Sequence, residues 1–135
     1  GRACAQNIVP SSTGAAKAIG LVIPELLGKL DGNALRVATV DGSVVDLTLE
    51  LNRNTSVEEI NKLFSENQNE TIKFTMDPIV SSDCLGKKFG AIVDGLSTSI
   101  VEADGSQLVK VIAWYDNEMS YSAQMVRTAK YLMEK

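Results

Sequence analysis

The 135-residue chain is 44% hydrophobic and 22% charged, with a formal net charge of −4 at pH 7, which predicts one globular domain over residues 1–135. The acidic balance argues against a nucleic-acid partner, because nucleic acids are bound by basic patches. No apolar run reaches membrane-spanning length, and we expect no membrane partner.

The first predicted helix covers about residues 13–27 and follows an extended apolar run. Ser12 or Thr13 is expected to cap it, since a hydroxyl accepts from the orphan N–H groups of a first turn. Gly14 leaves its backbone N–H open, and the positive end of a helix attracts phosphate. The pattern alone favours an ordinary helix start. Pro24 is expected to end or kink the helix.

Two strands are predicted next, at Leu35 to Val40 and at Ser43 to Leu51, joined by a turn signal at Val40-Asp41-Gly42. A capping box at Thr55 or Ser56 then predicts a second helix. Further strands are predicted at Ile79 to Val80, Gly90 to Val93, Ser97 to Val101 and Gln107 to Trp114.

The turn signal Asp104-Gly105 predicts that the last two strands form a hairpin. A final helix is predicted from about Met119 to Met133. Strands in hairpins together with about three helices indicate an α+β fold, with a mainly antiparallel or mixed sheet and the helices on one face.

The chain contains no histidine, which removes the commonest general base and metal ligand at neutral pH. Cys4 and Cys84 make no disulfide framework and no metal-binding spacing. They are expected to be reduced thiols of a cytoplasmic protein. We therefore predict no catalytic residue and no metal ligand. The Gly-x-Gly-x-x-Gly signature of a dinucleotide-binding domain is also missing.

Two sequence blocks point to a known family. Ser-Thr-Gly-Ala-Ala-Lys-Ala occupies residues 12–18, Trp-Tyr-Asp-Asn-Glu occupies residues 114–118, and Leu-Arg-Val lies between them at residues 35–37. In this order and at these distances they closely resemble the catalytic domain of phosphorylating glyceraldehyde-3-phosphate dehydrogenase. The resemblance covers essentially the whole chain and implies the same α+β layout.

The resemblance implies roles for five residues. Thr13 and Gly14 match positions that hold the attacking phosphate or the substrate phosphate. Arg36 matches an arginine that binds a phosphate of the substrate, to which a guanidinium donates two parallel hydrogen bonds. Asn117 matches the asparagine that binds the nicotinamide carboxamide, and Tyr121 matches an aromatic residue near the nicotinamide. Without the resemblance, Arg36 reads as an exposed strand arginine and Tyr121 as a packing residue.

The family's nucleophile lies in a Ser-Cys-Thr-Thr-Asn segment, which this chain lacks, as it lacks the family's histidine base. We therefore expect a truncated C-terminal fragment of a glycolytic NAD-dependent enzyme that is inactive by itself and does not bind NAD tightly. Arg2 is left out of the predicted phosphate site. Ala38 stands where the family usually has proline, which leaves the arginine in place.

The resemblance also implies partners, namely glyceraldehyde 3-phosphate and inorganic phosphate. Because the family is tetrameric, we expect a homo-oligomer, and a bare apolar stripe on the last helix offers a route to domain swapping. The alternative is a non-catalytic binding or assembly module, because surface-exposed copies of this family in some bacteria bind host proteins.

Overall fold

The structure is a computed structural model that describes residues 3–135, without the side chain of Cys4. Arg2 lies outside the described residues. The chain divides into two compact units, residues 1–40 and residues 41–135. Each unit carries part of the predicted site.

The first unit contains two strands and one α-helix. Strands β1 (Val9–Ser12) and β2 (Asn33–Arg36) pair antiparallel, and helix α1 (Ala15–Val22) follows β1 after two residues. The helix ends before Pro24, as predicted, because proline lacks the N–H that would continue it. A short 3-10 turn follows at Pro24–Leu26.

The predicted cap of α1 is wrong in one respect. The N-cap residue is Gly14, and it makes no side-chain capping bond. The Thr13 hydroxyl accepts instead from the N–H of Ala15, at 3.2 Å. One N–H of the first turn is thereby satisfied, although Thr13 lies one residue before the cap position.

The second unit is a four-stranded sheet with two α-helices. In chain order its elements are β3 (Ser43–Glu50), α2 (Val57–Glu66), β4 (Ile72–Thr75), β5 (Ala91–Ala103), β6 (Ser106–Tyr115) and α3 (Met119–Met133). The sheet order is β3-β6-β5-β4. The sheet is mixed, because β3 and β5 pair antiparallel with β6 whereas β4 pairs parallel with β5.

The core of this unit lies between α2 and one face of the sheet. Ile60 of α2 packs against alternate residues of the central strands, namely Val93, Val109, Val111 and Ala113. Their alternation follows from the two-residue period of a strand. The helix is held at its start by Ser56, whose hydroxyl accepts from the N–H of Glu59 at 3.1 Å, so the predicted helix start is confirmed. The Glu59 carboxylate accepts from Arg53 and Thr55 instead of completing the capping box.

Several strand predictions are wrong. The strand predicted from Leu35 to Val40 is instead β2 at Asn33–Arg36, and it pairs with β1, whereas β3 pairs with β6. Residues 79–80 form no strand. Strand β4, which lies at one edge of the sheet, was not predicted from the sequence. The predicted strands at 90–93 and 97–101 belong to one strand, β5, whose register shifts between Asp94 and Ser99.

The predicted α+β class, with three α-helices and a mixed sheet, is confirmed. The hairpin at Asp104-Gly105 is confirmed as well, since β5 and β6 pair antiparallel on either side of it, and both turn residues have positive φ, 51° and 81°. Among residues 3–135, no helix has the length and apolar character of a membrane span.

Candidate functional site

The predicted phosphate residues of the first unit lie where β1 passes into α1. The first N–H groups of a helix have no partner inside it, and within residues 3–40 only that of Ala15 receives a side-chain acceptor. The Thr13 hydroxyl accepts this bond and still has its own proton to donate. The helix start therefore offers several donors to an anion.

Gly14 is open to solvent on its side-chain side. A Cβ built at this position has no neighbouring atom of its unit within 4 Å. The backbone angles, φ −86° and ψ −2°, are accessible to any residue, so local conformation does not require glycine here. A ligand that approaches the backbone closely would require it.

Arg36 is exposed at the far end of the same two-stranded sheet. It pairs with Val9, whereas Ser12, next to Thr13, pairs with Asn33. Asn33 and Arg36 are three positions apart along the strand, a distance of roughly 10 Å. Its guanidinium makes no ion pair or hydrogen bond within residues 3–40. Thr13 and Gly14 are adjacent, whereas the positive charge of Arg36 lies at the other end of the two-stranded sheet.

The predicted nicotinamide residues lie at the start of α3 in the second unit. Asn117 is in the connection between β6 and α3, and Tyr121 is in the first turn of the helix. Both are exposed, Tyr121 to 69%. The structure therefore brings these two residues to one end of one helix.

Asp116 holds the connection before α3 in place. Its buried carboxylate accepts from the N–H groups of Met119 at 2.7 Å, Glu118 at 2.9 Å and Gly86 at 2.7 Å. The bonds from Met119 and Gly86 are the main reason that the pKa of Asp116 lies below its ordinary value. The charged carboxylate thus fixes the backbone on both sides of Asn117.

Ser43 holds the side chain of Asn117. It is the first residue of β3 and pairs with Tyr115 at the end of β6. Its hydroxyl donates to the Oδ1 atom of Asn117 at 3.2 Å. Within residues 41–135 the Nδ2 amide nitrogen of Asn117 makes no hydrogen bond, so it remains a free donor.

Neither Asp116 nor Ser43 was predicted as a supporting residue of the site. Asp116 could have been identified, because an aspartate side chain commonly accepts from the backbone N–H groups two or three residues further along the chain. No local signal pointed to Ser43, which is 74 residues from Asn117 along the chain.

Cys84 is a buried structural thiol. Its Sγ donates to the carbonyl of Ser81 at 2.8 Å, and burial, followed by the negative charge of Asp116, raises its pKa. A thiol in these surroundings is a poor nucleophile. The side chain of Cys4 lies outside the part of the chain that the structure describes. Among residues 3–135, no group of three acidic or cysteine side chains is arranged to hold a metal ion.

Comparison with known proteins identifies the family. Residues 1–117 match the sequence model of the glyceraldehyde 3-phosphate dehydrogenase C-terminal domain. Over 130 residues, 96% of the chain, the sequence is 59% identical to a glyceraldehyde-3-phosphate dehydrogenase of Streptococcus pyogenes. Over the same share it is 56% identical to one of Clostridium pasteurianum. The chain spans 39% of the length of either relative.

The family match covers the helix start at Gly14 and the connection as far as Asn117. The chain therefore belongs to the glyceraldehyde 3-phosphate dehydrogenase C-terminal domain family.

Proposed function

We propose that this chain supplies the phosphate and nicotinamide contacts of an NAD-dependent phosphorylating glyceraldehyde-3-phosphate dehydrogenase. Such an enzyme converts glyceraldehyde 3-phosphate and inorganic phosphate to 1,3-bisphosphoglycerate in the glycolytic pathway of the cytoplasm. The observation that carries the proposal is the open space at Gly14, beside unpaired N–H groups at a helix start. The backbone angles do not require a glycine there, and its N-cap position favours glycine over alanine by only roughly 0.5–1 kcal/mol.

Thr13 and Gly14 would hold one phosphate. The Thr13 hydroxyl, already accepting from Ala15, donates its own proton to a phosphate oxygen. Gly14 lets the anion approach the backbone N–H groups without a Cβ in the way.

Arg36 would bind a phosphate through its planar guanidinium, which donates two parallel charged bonds. Its freedom from ion pairs in its own unit supports this role, because no carboxylate has to be displaced first. Its separation from Thr13 along the sheet suits contact with a different part of a phosphorylated substrate, or with a second phosphate.

Asn117 and Tyr121 would receive the nicotinamide end of NAD, which accepts the hydride when bound. The fit is chemical: a carboxamide offers an acceptor oxygen, and Asn117 presents a free amide donor. Tyr121 is exposed in the first turn of α3 and gives the nicotinamide ring an aromatic neighbour. The sequence has no Gly-x-Gly-x-x-Gly signature of a dinucleotide-binding domain, so we propose that these 135 residues alone bind NAD weakly.

We propose that no side chain in the described part of these residues carries out the chemical step. No histidine is present, and the buried Cys84 thiol is not activated. We therefore propose that this domain positions ligands and that nucleophile and base come from elsewhere in the enzyme.

We also propose a homo-oligomer. Apolar side chains of α3 are exposed in this chain, including Leu132 and Met133, the latter to 86%. A terminal helix with such a face is covered by association and is readily exchanged between identical chains.

The proposal is tested by assaying NAD reduction with glyceraldehyde 3-phosphate and phosphate. The protein as its gene encodes it and the purified 135 residues are compared at equal molar concentration. We expect turnover by the complete gene product and none by the 135 residues. A complete product without turnover would refute the dehydrogenase assignment. Turnover by the 135 residues, free of the complete enzyme, would refute the division of roles.

A further inference from the structure

The hydrogen bond between Ser43 and Asn117 determines which atom of the Asn117 amide faces outward. The Oδ1 atom accepts from the Ser43 hydroxyl at 3.2 Å, on the side of β3. The Nδ2 atom makes no bond within residues 41–135. An amide carries an acceptor at one end and a donor at the other, so occupying the acceptor leaves the donor to a ligand.

The backbone of Asn117 has little freedom to turn the side chain another way. Asp116 accepts from Glu118 and Met119 on the following side and from Gly86 in a neighbouring loop. Ser43 itself is fixed by its pairing with Tyr115 in the sheet. The side-chain torsions of Asn117 are then the remaining freedom, and the Ser43 hydroxyl restricts them.

We propose that Ser43 is a positioning residue for the nicotinamide, holding Asn117 so that its Nδ2 donates to the carboxamide oxygen. This inference rests on the proposed function, because it needs nicotinamide to bind at Asn117. The opposite orientation of the amide would present Oδ1 and select the carboxamide NH₂ group instead. Ser43 therefore makes this contact specific for a carbonyl oxygen on the pyridine ring.

The first experiment removes the hydroxyl in the protein as its gene encodes it. Ser43→Ala loses one neutral hydrogen bond, which is expected to raise the KM for NAD roughly two- to twelvefold. The kcat is expected to stay within about twofold, because the hydroxyl touches no reacting atom. Ser43→Thr keeps the hydroxyl on a strand residue and is expected to restore the KM.

A matched control distinguishes this effect from a general effect of a serine-to-alanine change. Ser106 is exposed and is the first residue of β6, as Ser43 is of β3. Ser106→Ala is expected to leave the KM for NAD and the melting temperature unchanged. A double-mutant cycle with Asn117→Ala adds a readout that a structural role would not give, since Ser43→Ala should change the KM less than about twofold in that background.

The second experiment reads the orientation of the amide directly. The 3-acetylpyridine analogue of NAD keeps the carbonyl oxygen and lacks the carboxamide NH₂. If Nδ2 of Asn117 faces outward, Asn117→Ala reduces kcat/KM by the same factor for NAD and for the analogue. If Oδ1 faces outward, Asn117→Ala reduces kcat/KM for NAD only, and the inference is overturned.

The outcomes separate the two proposals. A complete protein that reduces NAD but is insensitive to Ser43→Ala overturns the positioning role and leaves the proposed function standing. A complete protein that neither binds nor reduces NAD overturns both. A raised KM that persists in Ser43→Thr, or in the Asn117→Ala background, shows that Ser43 acts through the strand rather than through the amide.

Discussion

Replacing Gly14 with alanine separates phosphate binding from folding. The backbone angles, φ −86° and ψ −2°, suit alanine, and the added Cβ meets no atom of its unit within 4 Å. Alanine reduces the entropy of the unfolded chain, which stabilises by about 0.4–1 kcal/mol. It is a poorer N-cap than glycine, which offsets this by roughly 0.5–1 kcal/mol. The free energy of unfolding is therefore expected to change by less than about 0.5 kcal/mol.

The effect of Gly14→Ala on phosphate should be much larger. The Cβ would occupy the space from which an anion reaches the N–H groups of the first turn. Loss of one hydrogen bond to a charged group costs about 1.5–3 kcal/mol. That corresponds to a rise of roughly 10- to 160-fold in the KM for inorganic phosphate or for glyceraldehyde 3-phosphate, depending on which phosphate is held there.

The assay is initial-rate NAD reduction by the complete gene product, with each phosphate-bearing reactant varied in turn, together with a thermal melt. Gly32→Ala is the matched control, because Gly32 lies in the same unit, also has open space at its Cβ position and has no positive φ. It should leave both KM values unchanged and raise the melting temperature slightly, because alanine reduces the entropy of the unfolded chain. The reasoning is refuted if Gly14→Ala melts far below the parent protein, or if both KM values stay unchanged.

Two further predictions concern the second unit. Gly95→Ala should lower the free energy of unfolding by about 1–3 kcal/mol in a thermal melt, because its Cβ would overlap Met76 and lie 2.5 Å from the Phe74 ring; an unchanged melt would contradict the packing. Hydrogen bonding to Arg53, and to a lesser extent to a threonine hydroxyl, lowers the pKa of Glu59 to about 2. The stability that Glu59 contributes is therefore present above the pKa that this carboxyl group has in the unfolded chain, and it is lost as the pH falls toward 2. Arg53→Ala should raise this pKa part of the way toward 4.5 in an NMR titration of the carboxyl group, and a value that stays near 2 would show that Arg53 is not the cause.

The helices were the most predictable part of the fold. Pro24 ends α1, the Ser56 hydroxyl caps α2, and α3 runs from Met119 to Met133 as its apolar spacing predicted. Each signal acts within one or two turns of chain, so neighbouring residues carry it. The turn at Asp104-Gly105 was predictable for the same reason.

The strand partners were less predictable. A strand of four residues such as β4 has too short a pattern to be recognised, and its parallel pairing with β5 joins residues about twenty positions apart. The strands flanking Asp41-Gly42 are neighbours in the sequence, yet β2 pairs with β1 and β3 pairs with β6. Pairing is decided by which apolar faces can be buried together, and that is a property of the assembled sheet.

For the site, the sequence by itself determined the family and the residues to examine, because the blocks at 12–18 and 114–118 are local and specific. It also showed that these residues include no histidine. Only the tertiary structure decided that the space beside Gly14 is open, that Asp116 clamps the start of α3, and that the Ser43 hydroxyl reaches Asn117. A hydrogen bond between residues 74 positions apart depends on how β3 and β6 align, and no short stretch of sequence contains that alignment.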